Sequence, residues 1–434
     1  MAVALCFMSG CGRSGDDATR NDSASVQFRS DAATPPDDDP AVADGTPATP
    51  AVPRTYEVTA DDLRQSRLES DRAAEGWVRL FDGHTLFGWE IAGGSDWRVR
   101  DGSIVADGGT PGLLCTSVDW SDFELSLQYR CDDATNSGVF LRTPLEPQDV
   151  ATDCYEINIA PVDDPFPTGS VVKRQKRTET PPNDDATDSS DDSGDGWHAL
   201  TATIDGGTLE VRIDGVTTSR LEGPATVTTG RIGLQYRRGA IEFRDVQLRP
   251  LNLRSLIDPE LSQWKRYPDM SGEFRYDDGI VVDGGKTQLE TRDTFGDFVM
   301  VARYRLAADD TNTGIFFRSI PGDEMMGYEC QVNDAIADGN PLTPADCGTG
   351  GIFRRQDARV IIGRPDTFNT VVLNASGLRM AGWVDGVQVS NWYDDRKPDE
   401  NPRRGSRTDA GTIIIQGHDP ETAATFSEFK VQTR

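Results

Sequence analysis

The strongest constraint on this chain is that it contains one pattern twice. Asp122-Phe123 opens a strand-like run, followed by Asn136-Ser137-Gly138-Val139-Phe140-Leu141-Arg142 and Tyr155-Glu156-Ile157-Asn158. Thr168–Gln175, an Asp214-Gly215 pair and Gly230–Gln235 complete the set. The second half passes through Asp297-Phe298, Asn312-Thr313-Gly314-Ile315-Phe316-Phe317-Arg318, Tyr328-Glu329-Cys330-Gln331, Thr349–Gln356, Asp385-Gly386 and Gly411–Gln416 in the same order. Order and spacing both persist, so a domain has been duplicated. The copies span 76–250 and 254–434.

Each copy reads as strands. Phe123 to Tyr129 alternates apolar and polar, the mark of a half-buried strand. Asp214-Gly215 and Asp385-Gly386 supply hairpin turns between β-rich runs. Only Ala60–Arg72 carries a short helical period. Many short strands with frequent turn signals imply an all-β chain of two tandem jelly-roll sandwiches.

Ahead of the repeat, residues 12–72 are rich in Asp, Ala, Thr and Pro and are expected to form a disordered acidic tether. Residues 1–11 end in Met8-Ser9-Gly10-Cys11, like the box before a lipid-modified cysteine, although the basic start of a signal is missing. The expectation is an exported chain, periplasmic or on the outer surface, touching membrane only through Cys11. A second acidic tract, Thr178–Gly196, reads as a surface loop of the first domain.

The net charge of -28 argues against a nucleic-acid partner, since one polyanion repels another. Neither CxxC pairs nor histidine clusters occur among seven cysteines and three histidines, which argues against a zinc site. Cys330 and Cys347 share a segment and are candidates for a disulfide. There is no GxSxG elbow, P-loop or dinucleotide fingerprint. No cofactor is expected, apart from a divalent cation of unknown site.

Alternation also assigns faces. Tyr155, Ile157 and Ile159 should point to the core, leaving Glu156 and Asn158 outside; Tyr328, Cys330 and Val332 should do the same, leaving Glu329 and Gln331 outside. By the same parity Arg142 joins Phe140 and Arg318 joins Phe316 on the outer face, which Gln235 and Gln416 complete. Arg, Glu, Asn or Gln, and Gln on one face suit sugar hydroxyls, which need donors and acceptors together. The competing reading is a cross-strand ion pair on a solvated face. Neither Glu156 nor Glu329 has a second acid at strand spacing on its face, so the paired carboxylates of ordinary glycosidases are not apparent.

These residues resemble the 3-keto-disaccharide hydrolase family, abundant in planctomycetes. The resemblance rests on Gly76–Trp89, NSGVFLR, CYEINI and Arg231–Leu251 in the first copy, and on GYECQVND, CGTGGIFRRQ, Asp394–Gly405 and Ile413–Pro420 in the second. It implies a concanavalin A-like fold and oligosaccharide or 3-keto-sugar substrates. Arg142, Glu156 and Gln235 match the family motif in the first copy, and Arg318, Glu329 and Gln416 in the second. Family members often carry His after this Gln. The first copy has Tyr236-Arg237-Arg238 there, whereas the second keeps Gln416-Gly417-His418-Asp419. The resemblance therefore implies chemistry in the second copy.

A ketone at C3 acidifies the C2 hydrogen of a glycoside, so a base and an enolate stabiliser suffice to expel the C1 substituent. Glu329 and His418 are the candidate bases and Arg318 the stabiliser. A carboxylate beside an arginine has a depressed pKa, which favours His418. Gln331, Gln416, Trp392 and Tyr393 are candidate substrate contacts in the second domain, as are Arg142, Glu156, Asn158 and Gln235 in the first. The alternative function is a non-catalytic glycan-binding or cell-surface module.

Overall fold

The protein is described by a computed structural model covering residues 58–181 and 196–434. Cys11, most of the expected tether and most of the Thr178–Gly196 tract lie outside the described residues. Within 58–72 the expected disorder gives way to order: Ala60–Gln65 and Ser70–Ala74 are short helices. Thr59 caps the first helix through a reciprocal bond with Asp62, and Leu63 packs against Val384 and Val387 of the second repeat.

Each repeat folds into a jelly-roll-like sandwich of a large and a small antiparallel sheet. The small sheet of the first runs Trp89–Ser95, Gly109–Thr116, Arg231–Arg238, Asn136–Thr143, Tyr155–Ile159. Its counterpart in the second runs Trp264–Arg266, Thr287–Thr291, Thr412–Gly417, Thr313–Ser319, Tyr328–Val332. The large sheets share one order too, so the duplication read in sequence is a duplication of topology. Both Asp-Gly pairs turn with positive φ at each residue (50° and 80°, 43° and 82°), the geometry a two-residue hairpin needs.

The two copies differ in what covers the large sheet. In the first, Phe123–Cys131 and His198–Asp205 alternate between buried and half-exposed residues, with one face wet. In the second, Asn369–Ser376 is buried throughout, because the first sandwich packs on its outer face. Val299, Val301, Val372, Ala381 and Trp383 join the first core, and the Trp383 ring lies 5.7 Å from that of Trp120. Around this apolar seam Gln432 donates to the carbonyls of Asp122 and Leu251, and Arg359 pairs with Asp82 at 2.8 Å. The sandwiches therefore form one packed body.

No disulfide links Cys330 and Cys347; all five described cysteines are free thiols, and four of them are buried. Cys330 faces the core as a small apolar residue, and burial pushes its thiol up to about 12.

Candidate functional site on the small sheets

The outer face of each small sheet carries the glutamate that alternation placed there. Tyr155, Ile157 and Ile159 lie in the first core and Tyr328, Cys330 and Val332 in the second, so Glu156 and Glu329 project the other way. Glycine seats both carboxyls. A Cβ on Gly314 would meet Glu329 Oε1 at 2.7 Å and Gln416 Oε1 at 3.3 Å, and one on Gly138 would meet Glu156 Oε1 at 3.3 Å. This accounts for the Gly near the start of each strand, Asn136–Thr143 and Thr313–Ser319.

Parity fails at the arginines. Arg142 and Arg318 have φ of 52° and 47°, and the strand register slips beside each of them. Such a bulge re-aims the side chain. Arg318, fully buried, donates to the carbonyls of Gly296, Gly377 and Arg407 and to Asp297 Oδ1 at 2.7 Å. Arg142 donates in the same way to Ser121, Gly206, Val227 and Asp122. Both tie loops together and neither stabilises charge beside the glutamates.

With Arg318 elsewhere, the expected depression of the Glu329 pKa also fails. Burial pushes Glu329 up to about 7, and the nearby charges of Arg403 and His418 only partly offset it. Glu156 is likewise pushed up to about 7 by burial, against a hydrogen bond from Gln235. A carboxyl poised near neutrality suits proton transfer.

The second-domain face brings together more polar groups than sequence suggested. Arg403 Nη2 stands 4.0 Å from Glu329 Oε2. Gln331 donates to Asn312 Oδ1 and Asp346 Oδ2, while its own Oε1 and that of Gln416 are buried without partners. Half-exposed His418 bonds Asp419 through Nδ1 at 2.8 Å, and its charge reaches Glu329. Arg403, Asn312 and Asp346 were missed as site residues; the quoted family segment Asp394–Gly405 contains Arg403, and that was the available signal. Trp392 and Tyr393 are not in this group. They end a strand of the opposite sheet, where Trp392 packs edge-on to Tyr328 and Tyr393 lines a small groove at the seam with Arg379.

A strap narrows this face. Ile320–Met326 closes on itself and reaches across the sheet: Gly322 N–H bonds Glu290, Gln288 donates to the Asp323 carbonyl, and Met325 N–H bonds Gln288 Oε1. Met325, with φ 50°, covers Phe316 and Ile414. The space left beside Glu329, bounded by Phe353, Arg354 and Arg403, is about 60 Å³.

The first domain has no such strap. Its face opens into a cleft of about 550 Å³ walled by Leu113, Phe140, Leu145, Val150 and Tyr236, with Gln235, Arg237 and Glu146 also in its lining. Asn158 points away to the Phe166 carbonyl. Among the described residues, no group of three or more His, Cys, Asp or Glu is placed to hold a metal ion.

A 3-keto-disaccharide hydrolase from Bacteroides thetaiotaomicron is 29% identical over 102 residues, covering 21% of this chain and 34% of the relative. The match thus spans about a third of that protein's length. A proposed glycosyl hydrolase from Parabacteroides distasonis is 19% identical, covers 43% of this chain and 98% of its own, and has a TM-score of 0.36. A carbohydrate binding module from Bacillus subtilis is 17% identical, with coverages of 37% and 95% and a TM-score of 0.28. The family model described as a 3-keto-alpha-glucoside-1,2-lyase-like domain matches residues 76–249 and again 252–432. This chain belongs to that family and carries two copies of its domain in tandem.

Proposed function

We propose that this carbohydrate-active, glycosyl-hydrolase-like protein is exported and cleaves 3-keto-glycosides on the small-sheet face of its second domain. The observation that carries the reading is the buried Glu329 carboxyl, held near neutrality beside Arg403, Gln416 and His418. Ionised Glu329 takes the C2 proton, and the electron pair moves into a C2–C3 enolate whose charge sits on the C3 oxygen. Arg403 and Arg354 supply positive charge to that oxygen. The ketone then re-forms, the C1–O bond breaks, and protonated His418 gives its proton to the departing oxygen. Water added across the resulting alkene completes a net hydrolysis.

The space beside Glu329 is smaller than a sugar ring, so substrate entry requires its walls, Phe353–Arg355 and Pro402–Arg403, to move. Sugar binding without chemistry is favoured for the first domain, where Tyr236-Arg237 stands in place of Gly417-His418. The test is turnover of a 3-keto-glucoside and of its C2-deuterated form. Slower reaction of the deuterated sugar and a transient C1–C2 alkene are expected. Cleavage indifferent to C2 deuteration, with no alkene, would overturn the elimination route.

A further inference from the structure

The two small-sheet faces are related by duplication yet differ in one respect that chemistry can read. In the second domain the strap is held by Gln288, which pairs with Gln416, and by Glu290, which pairs with Ile414. The positions occupying these register places in the first domain are Leu113, opposite Gln235, and Cys115, opposite Gly233. Neither side chain can bind a loop backbone as an amide or a carboxylate does. The loop after Arg142 is held elsewhere, with Asp149 paired to Lys173 at 2.9 Å and Asp153 accepting from the backbone of Gln148 and Asp149. Gly233 also stands where the second domain has Ile414, opposite Phe140.

The open cleft has two chemically distinct parts. Leu113, Phe140, Leu145, Val150 and Pro147 make a broad apolar wall, while Gln235, Arg237 and Glu146 supply the charged and amide groups of the lining. Gln235 Oε1 is buried without a hydrogen-bond partner. A free disaccharide, with hydroxyls on every side, would leave most of them unpaired against that wall. A sugar joined to an apolar group satisfies both parts. We infer that the first-domain cleft is a separate binding site for glycosides with an aryl aglycone, the aglycone on the Leu113–Phe140–Leu145 wall and a sugar hydroxyl at Gln235. The inference rests on the carbohydrate reading above, but not on any chemistry in the second domain.

The test uses the full chain and two unoxidised glucosides, phenyl glucoside and methyl glucoside, so that binding is measured apart from turnover. By calorimetry the phenyl glucoside should bind at least about tenfold more tightly, ~1.4 kcal/mol. Leu145→Asp, at a half-exposed wall position, should remove that advantage at an unchanged melting temperature; Val150→Asp repeats the test if the first variant does not fold. Gln235→Leu should weaken both glucosides. Glu329→Gln should leave the preference intact. Equal affinities in the native protein, a preference that survives the wall charge, or one lost in Glu329→Gln would overturn the assignment. Phenyl glucoside binding with no turnover of any 3-keto-glycoside would sink the enzyme reading and leave this one standing.

Discussion

Replacing Arg318 by Met should unfold the protein more easily without impairing the chemistry of the molecules that remain folded. The guanidinium is fully buried and donates to three carbonyls and one carboxylate, joining the turn at Gly296-Asp297, the hairpin at Gly377 and the loop at Arg407. The ion pair itself contributes little, because the Asp297 side chain is 40% exposed and water screens it. The cost comes from three backbone acceptors losing a charged donor, while Met fills the volume of the stem. Breaking a buried polar group of this kind costs on the order of 3–5 kcal/mol. For a domain of this size that is a fall of about 10 °C in the melting temperature. Circular dichroism would follow unfolding, and turnover of a 3-keto-glucoside would be measured well below the transition. Unchanged melting with abolished turnover would refute the structural role and return Arg318 to the chemistry.

Other expectations follow from the same geometry. Glu329 has a folded pKa raised from 4.5 to about 7, so the stability it contributes is fully present below about 4.5 and is lost as pH rises through 7. Relative to Glu329→Gln, the native protein should lose about 3 kcal/mol between pH 4 and pH 8 in denaturant titrations; a pH-independent difference would contradict the shift. Met325→Ala, which removes a buried side chain from Phe316 and Ile414, should cost about 2–5 kcal/mol of stability. An unchanged melting temperature would mean that the strap is not packed on that face. Trp383→Ala removes the seam contact with Trp120 and should cost about 3–5 kcal/mol, splitting one calorimetric transition into two; a single unshifted transition would show that the sandwiches do not stabilise each other.

Sequence and structure agree where period-two alternation operates undisturbed. The faces of Tyr155–Ile159 and Tyr328–Val332, and hence the directions of Glu156 and Glu329, could be read residue by residue. Alternation could not see the bulges at Arg142 and Arg318, because an arginine at positive φ carries no sequence mark of the kind a glycine leaves. That one misplacement also inverted the expected pKa of Glu329, since the cation assigned to it is bound elsewhere. The packing of the sandwiches did have a signal. Phe298-Val299-Met300-Val301-Ala302 is apolar on both faces where Phe123–Tyr129 alternates, and an unbroken apolar run marks a strand covered on both sides. The strap left little trace, because the groups that hold it, Gln288 and Glu290 on its backbone, Lys286 on Glu324 and Arg403 on the Met325 carbonyl, lie far from it in sequence.

In the proposed reaction Glu329 of the second domain is the base. The most direct measurement compares turnover of one 3-keto-glucoside by the native protein, Glu329→Gln and Glu156→Gln, across pH 5 to 9, with melting temperatures recorded alongside. Native turnover should rise with an apparent pKa near 7. Glu329→Gln should lose about 10²–10⁴-fold, as removal of a general base does, while Glu156→Gln stays close to native. Undiminished turnover in Glu329→Gln, or the larger loss in Glu156→Gln, would contradict the assignment of the chemistry to the second domain.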